Sequence, residues 1–162
     1  MKRAVSALLF ILFLSAQIAF AADEDKIVGL WITPRNECKI EIFKSGLKYC
    51  GTIAWLKEPL YLADDDGGMA GKPVVDRENP NPNLRSRTLI GLRLVEGFTY
   101  AGKNVWEKGT IYNPDNGKTY KCRMILSAPD RLEVKGFIGI PLFGATSVWI
   151  RQAERSYRTV SY

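Results

Sequence analysis

The stretch IYNPDNGKTYKC, Ile111–Cys122, sets Asn113, Asp115 and Asn116 beside a glycine within an apolar run. Two structures suit it: an oxygen-rich loop around a cation, or the turn of a β-hairpin. A calcium loop of the helix–loop–helix kind places ligands at its first, third and fifth positions, glycine at the sixth and glutamate at the twelfth. Counted from Asn113, the glycine arrives early, Pro114 stiffens the loop, and the twelfth position is Met124. Asn116-Gly117 instead supplies the positive φ angles that hairpin turns require. The stretch reads as a hairpin, and no metal ligands are assigned. The acidic run ADDDGG, Ala63–Gly68, also lacks ligand spacing and reads as a solvated loop tip.

Strands follow on both sides of that turn. Asn104–Tyr112 precedes it and Lys118–Leu126 succeeds it. Before them come Ile27–Thr33, Cys38–Phe43, Tyr49–Leu56 and Thr88–Val95; after them, Arg131–Ile138 and Ala145–Arg151. Cys38, Ile40 and Ile42 alternate with Lys39 and Glu41, as Leu132, Val134 and Ile138 do with Arg131, Glu133 and Lys135. This period of two marks half-buried strands, and eight of them with turn signals between predict an all-β protein. Hairpin connections favour an antiparallel up-and-down barrel, which leaves no exposed sheet edge and can enclose a small ligand. The charged outer positions, among them Lys121 and Arg123, argue against an outer-membrane barrel and for a barrel in water.

One connection is far longer than the rest. Lys57–Arg87, between the third and fourth strands, carries Pro59, Pro73, Pro80 and Pro82 and shows no alternation. Loops beyond about 12–15 residues are often functional. Arg85 and Arg87 stand where it rejoins the sheet, suited either to pinning the loop or to meeting a ligand's acidic head.

The N-terminus gives an address. Lys2 and Arg3 precede an apolar core, Ala4–Leu14, and Ala19-Phe20-Ala21 fits a signal-peptidase site. Residues 1–21 are expected to be an export signal, removed to leave a periplasmic or secreted protein; an uncleaved anchor is the alternative, although the apolar core is short for a span of roughly 20 residues. Residues 22–153 form the expected domain and 154–162 a C-terminal tail. Loss of Lys2 and Arg3 lowers the net charge from +6 to +4. That charge, spread over alternating positions, does not suggest a nucleic-acid surface. Export permits a disulfide, but three cysteines, Cys38, Cys50 and Cys122, leave at least one unpaired, and spacing does not choose the pair.

The chain contains no histidine. That removes the commonest general base and metal ligand and disfavours an enzyme, leaving carboxylate, lysine and tyrosine chemistry open, with Asp76, Glu78 and Asp115 as the carboxylate candidates. No cofactor is expected. Trp31, Trp55, Trp106 and Trp149 all fall on predicted strands, with Tyr112 and Tyr120 flanking the Asn-Gly turn. Trp55, Arg85, Arg87, Trp106, Tyr112 and Tyr120 are the candidate ligand-binding residues; Gly29, Trp31, Asn116, Gly117, Trp149 and Arg151 are expected to be structural.

Gly29-Leu30-Trp31 on the first strand resembles the G-x-W signature of lipocalins. The resemblance implies that Trp31 plugs one end of the barrel while a basic residue of the last strand, here Arg151, packs across it. YCGTIAWLKEPL, DRENPNPNLRSRTLIGL, IYNPDNGKTY and LEVKGFIGIPLFGATSVWIR together resemble domain-of-unknown-function family 2147, a family of exported bacterial proteins. This resemblance covers nearly the whole mature chain and implies a lipocalin-like barrel without an established activity. Members often carry a cysteine where this chain has Ser45, so the local disulfide that such members could form with the position of Cys50 is absent here. The tail from Glu154 also runs past the family's usual W-x-R ending. The expected function is non-enzymatic binding or carriage of a small apolar or amphipathic molecule; the alternative is an envelope structural or interaction protein with a filled barrel.

Overall fold

The structure, a computed structural model, describes residues 23–137 and 146–153. The expected export signal, Ile138 and the tail lie outside them. Eight strands run in order: β1 Gly29–Ile32, β2 Cys38–Ser45, β3 Lys48–Leu56, β4 Arg93–Gly102, β5 Val105–Asn113, β6 Lys118–Ala128, β7 Arg131–Phe137 and β8 Thr146–Arg151. Each pairs antiparallel with its neighbour, and β1 pairs with β8 to close the barrel. The expected lipocalin-like up-and-down barrel is the observed fold.

The fourth strand departs from expectation. It starts at Arg93 rather than Thr88 and runs on to Gly102. The apolar run Thr88–Leu92 belongs to the preceding loop, where the amide of Leu92 turns back onto the Leu89 carbonyl and Gly91 takes a φ of +86°. Gly97, at +79°, breaks the alternation within β4 and hides its second half from a period-two search.

Alternation places one face of every strand inside. Rows of paired residues cross the barrel: Trp31 with Ile40 and Ile53; Gly51 with Val95, Ile111 and Tyr120; Leu126 with Leu132 and Trp149. Bulky side chains need empty positions opposite them. A Cβ on Gly109 would lie 2.2 Å from the Phe98 ring, and one on Gly51 only 3.1 Å from Ile40. These two glycines are space for the core rather than flexibility in the strand.

The two ends differ. At one end lie the short hairpins β2–β3, β4–β5 and β6–β7, and a single 3-10 turn at Asp25–Ile27 closes it. The indole N–H groups of Trp31 and Trp106 donate to the carbonyls of Ile27 and Glu24, and Lys44 pairs with Glu24 and Asp25. The Arg151 guanidinium stacks 4.2 Å from the Trp31 ring and donates to the carbonyls of Pro129, Val28 and Lys26. Gly29, at φ +134°, leaves the room this needs: a Cβ there would stand 2.8 Å from Arg151 Nη1. Trp31→Ala is expected to lower stability by about 3–5 kcal/mol, the cost of removing a buried large aromatic. A urea midpoint equal to that of the wild type would remove Trp31 from the fold's supports.

Candidate functional site

The opposite end carries the β1–β2 connection, the long loop between β3 and β4, and the β5–β6 turn. The loop is folded, although its sequence shows no strand alternation. Val74 N–H bonds the Pro59 carbonyl at 3.0 Å, Tyr61 N–H that of Lys72 at 2.9 Å, and Leu89 N–H that of Val74 at 3.0 Å. Asp65 is not a solvated tip: its carboxylate takes Arg77 at 2.8 Å and the Met69 amide at 3.0 Å, while Arg77 stacks 4.3 Å from the Tyr61 ring. Asp64 and Asp66 beside it are exposed.

A fully buried carboxylate pins this strap. Asp76 accepts from Tyr112 Oη at 2.6 Å, Asn79 Nδ2 at 2.7 Å, and both Nε and Nη2 of Arg87, at 2.9 and 2.8 Å. Its own amide bonds the Arg87 carbonyl, so the two ends of the 76–87 segment are tied twice. Arg85 Nε donates to the Asn79 carbonyl at 2.7 Å. Burial pushes the Asp76 carboxyl up, but the hydrogen bonds from Tyr112, Asn79 and Arg87 outweigh it and hold the group below its ordinary value of 3.8. Burial and the Asp76 charge push the Tyr112 phenol up. The strap also rests on the β5–β6 turn, where a Cβ on Gly117 would fall 1.9 Å from the Glu78 carbonyl oxygen.

That turn is the hairpin expected, with one correction. Only Gly117 takes a positive φ, at +67°. Asn116 contributes through its side chain, which accepts the Lys118 amide at 3.0 Å and donates to Tyr120 Oη at 3.0 Å.

The inward-facing side chains separate into two groups. Trp31, Tyr49, Phe98, Trp106, Met124, Leu132 and Trp149 are all buried. Nearer the strap, Cys38, Leu56, Ile111, Tyr120 and Gly136 are only half-buried. They form a mouth that solvent reaches. The thiols are free. Burial pushes the Cys38 thiol up, against the lowering effect of the Thr33 hydroxyl bonded to it, and pushes Cys122 to about 12. Neither is a ready nucleophile at neutral pH.

The six candidate ligand residues do not converge on one site: only Arg87 and Tyr112 meet, both on Asp76 and with the guanidinium 5.9 Å from the phenol ring. Tyr120 lies at the mouth. Trp106 sits at the plugged end against Tyr49 and Tyr100, the length of the barrel away from Trp55. Trp55 points outwards, because an extra residue in β3, where Lys39 opposes Trp55 but Ile40 opposes Ile53, inverts the alternation. Lys39 covers its ring at 4.9 Å. Tyr112 faces outwards too, since Ile111 is the inward residue, and it holds the strap. Arg87 serves that same pin and Arg85 braces it. Leu56, Ile111 and Gly136 at the mouth, and Asn79 in the pin, escaped sequence reasoning. The bulge that turns Leu56 inwards has no local mark, and a half-buried glycine looks like any other.

Among the described residues no helix is long and apolar enough to cross a membrane, and no cluster of three or more Cys, Asp or Glu is arranged to hold a metal ion. The model of a family described as "Uncharacterized protein conserved in bacteria (DUF2147)" matches residues 29–151. The fold is similar to that of protein HP1028 from the human pathogen Helicobacter pylori, described as belonging to the lipocalin family. That likeness has a TM-score of 0.65 at 22% identity, over 79% of this chain and 84% of the other. No curated protein matches.

Loss of the pin should depend on pH. A carboxyl held low in the folded state contributes stability above its unfolded value, and this is lost as pH falls through the folded one. Asp76→Asn is therefore expected to cost about 1.5–3 kcal/mol near neutrality, the scale of hydrogen bonds to a charged group. The difference from wild type should shrink below pH 3.8. A difference constant from pH 7 to pH 2.5, measured by urea melts, would disprove the pin. Gly117→Ala should loosen the same strap, raising amide exchange at Asn79 and Arg87 without exposing the β7 core.

Proposed function

The chain belongs to the uncharacterized bacterial family DUF2147, and on that premise we propose that it is an exported, non-enzymatic binding or carrier protein for a small apolar or amphipathic molecule. One observation carries the reading. Of the inward-facing residues that solvent reaches, Cys38, Leu56, Ile111 and Tyr120 are gathered at one end and are mostly apolar, whereas the half-buried Tyr100 at the other end is packed on Trp106. Ligand sites combine such a lining with a few polar groups that fix orientation. Tyr120 Oη, Asn116 and the exposed Lys118 supply these on the rim. The strap braces the strand that carries Ile111, because Tyr112 beside it is held by Asp76. A carboxylate enzyme fits less well, since Asp76 is buried and its oxygens are taken up by Tyr112, Asn79 and Arg87. Export rests on the sequence of residues 1–21.

The second reading, an envelope structural or interaction protein with a filled barrel, draws on the tight fit of Phe98 over Gly109. One substitution separates the two. A Cβ on Gly136 meets only ordinary contacts, Ile111 at 3.8 Å and Tyr120 at 3.9 Å. Gly136→Leu should block the mouth and leave the fold intact. Wild type is expected to bind N-phenyl-1-naphthylamine saturably, and Gly136→Leu to lose that signal at an unchanged urea midpoint. If the wild type gives no saturable signal, the filled-barrel reading replaces the carrier.

A further inference from the structure

The outer face of β5–β7 gathers charge that the sequence shows as scattered. Lys108, Lys121, Arg123, Arg131 and Lys135 occupy its outward positions, against Glu107 and Glu133. Three of the cations lie in one row. Arg123 is directly opposite Lys135, and a bulge between Trp106 and Gly109 sets Glu107 and Lys108 together opposite Arg123. Neighbouring strands are about 4.8 Å apart, so the row spans only about 10 Å. Lys135 reaches Glu133 at 3.6 Å, whereas Lys108, Lys121 and Arg123 have no carboxylate within ion-pair distance among the described residues.

Two independent costs meet here. Like charges directly opposite one another destabilise a sheet. Lys108 also holds a φ of +64°, a region lysine rarely adopts, at the bulge that turns it outwards. Strain of this kind clusters at functional sites. Beside the row, Ile125 and Val148 both stand opposite Glu133, and the exposed Ile150 stands opposite Arg131. From this we infer that the outer face of β5–β8 docks on an anionic bilayer, with the cations on lipid phosphates and Ile150 against the interface. Among the described side chains of the face no aromatic ring is free to stack on a base, Tyr112 being held by the strap, which argues against a nucleic acid. The inference is independent of what the mouth binds.

Protein produced from the whole chain is sedimented with phosphatidylglycerol–phosphatidylcholine vesicles and with phosphatidylcholine alone, at low and high salt. Binding to the second set accounts for any apolar segment acting by itself. Lys108→Gly with Arg123→Gln removes two charges and relieves the backbone strain. Lys48→Gln with Arg93→Gln removes two from the outer positions of β3 and β4. Low-salt binding to the anionic vesicles is expected to fall about thirty-fold in the first variant, from about five-fold for each cation near the surface, and much less in the second. Equal loss in both variants, no loss in the first, or equal binding to both vesicle types would overturn the proposal. So would capture by soluble polyphosphate with none by vesicles, which would assign the row to a soluble polyanion.

Discussion

Closure of the barrel rests on a seam two residue pairs long. Trp31 lies opposite Arg151 and Ile32 opposite Ile150, while every other neighbouring pair of strands shares a longer ladder. So short a ladder needs support from side chains, and Arg151 provides it. Its guanidinium covers Trp31 and takes carbonyls from the segment before β1 and from the β6–β7 turn. A cation held over an aromatic face and bonded to three carbonyls ties three stretches of chain across the joint. The inward rows, the plugged end and the half-buried mouth all presuppose that this joint holds.

The two ends follow from that closure. Trp31 and Trp106 point their N–H groups at the 3-10 turn, so burying these large rings also satisfies their polar atoms. The other end has no such plug among the described residues. There the chain places Cys38, Leu56, Ile111, Tyr120 and Gly136 inside and ties a folded strap to the outside of β5. Asp76 is the centre of that attachment, a buried charge kept ionised because four donor atoms surround it.

Much of the fold was legible because strands with one wet face write their orientation into the chain. Lys39 and Glu41 against Ile40 and Ile42, or Glu133 and Lys135 against Leu132 and Val134, leave little choice of fold class. Trp31, Gly29 and Arg151 were also readable as a set. The candidate site was legible only in pieces. Trp55 was misplaced because the bulge beside it is a property of two paired strands and leaves no trace in either alone. Tyr112 and Ile111 look equally suited to a pocket in one dimension, and only the register of β5 against β4 and β6 shows which faces in. Arg87 was singled out with both of its roles open, and its partner Asp76 is one of six carboxylates in the same loop. Pairing across eleven positions of a loop depends on how the loop folds back. The charge row was hidden for the same reason: Lys108, Arg123 and Lys135 are distant in sequence and become neighbours only through the ladder.

An even number of strands has a geometric corollary. β1 begins at the plugged end and β8 finishes there, so the chain enters and leaves the barrel at the same pole. A tether attached through either terminus would hold the molecule by its sealed base and leave the opening pointing away from the attachment. The same nearness makes the barrel suited to circular permutation: a short linker from Ala153 back to Asp23 would lie on the base, with new termini cut into the β4–β5 hairpin at Lys103-Asn104, also on that side. Every half-buried residue of the rim would then keep its neighbours, in a molecule whose seam had become an ordinary covalent connection.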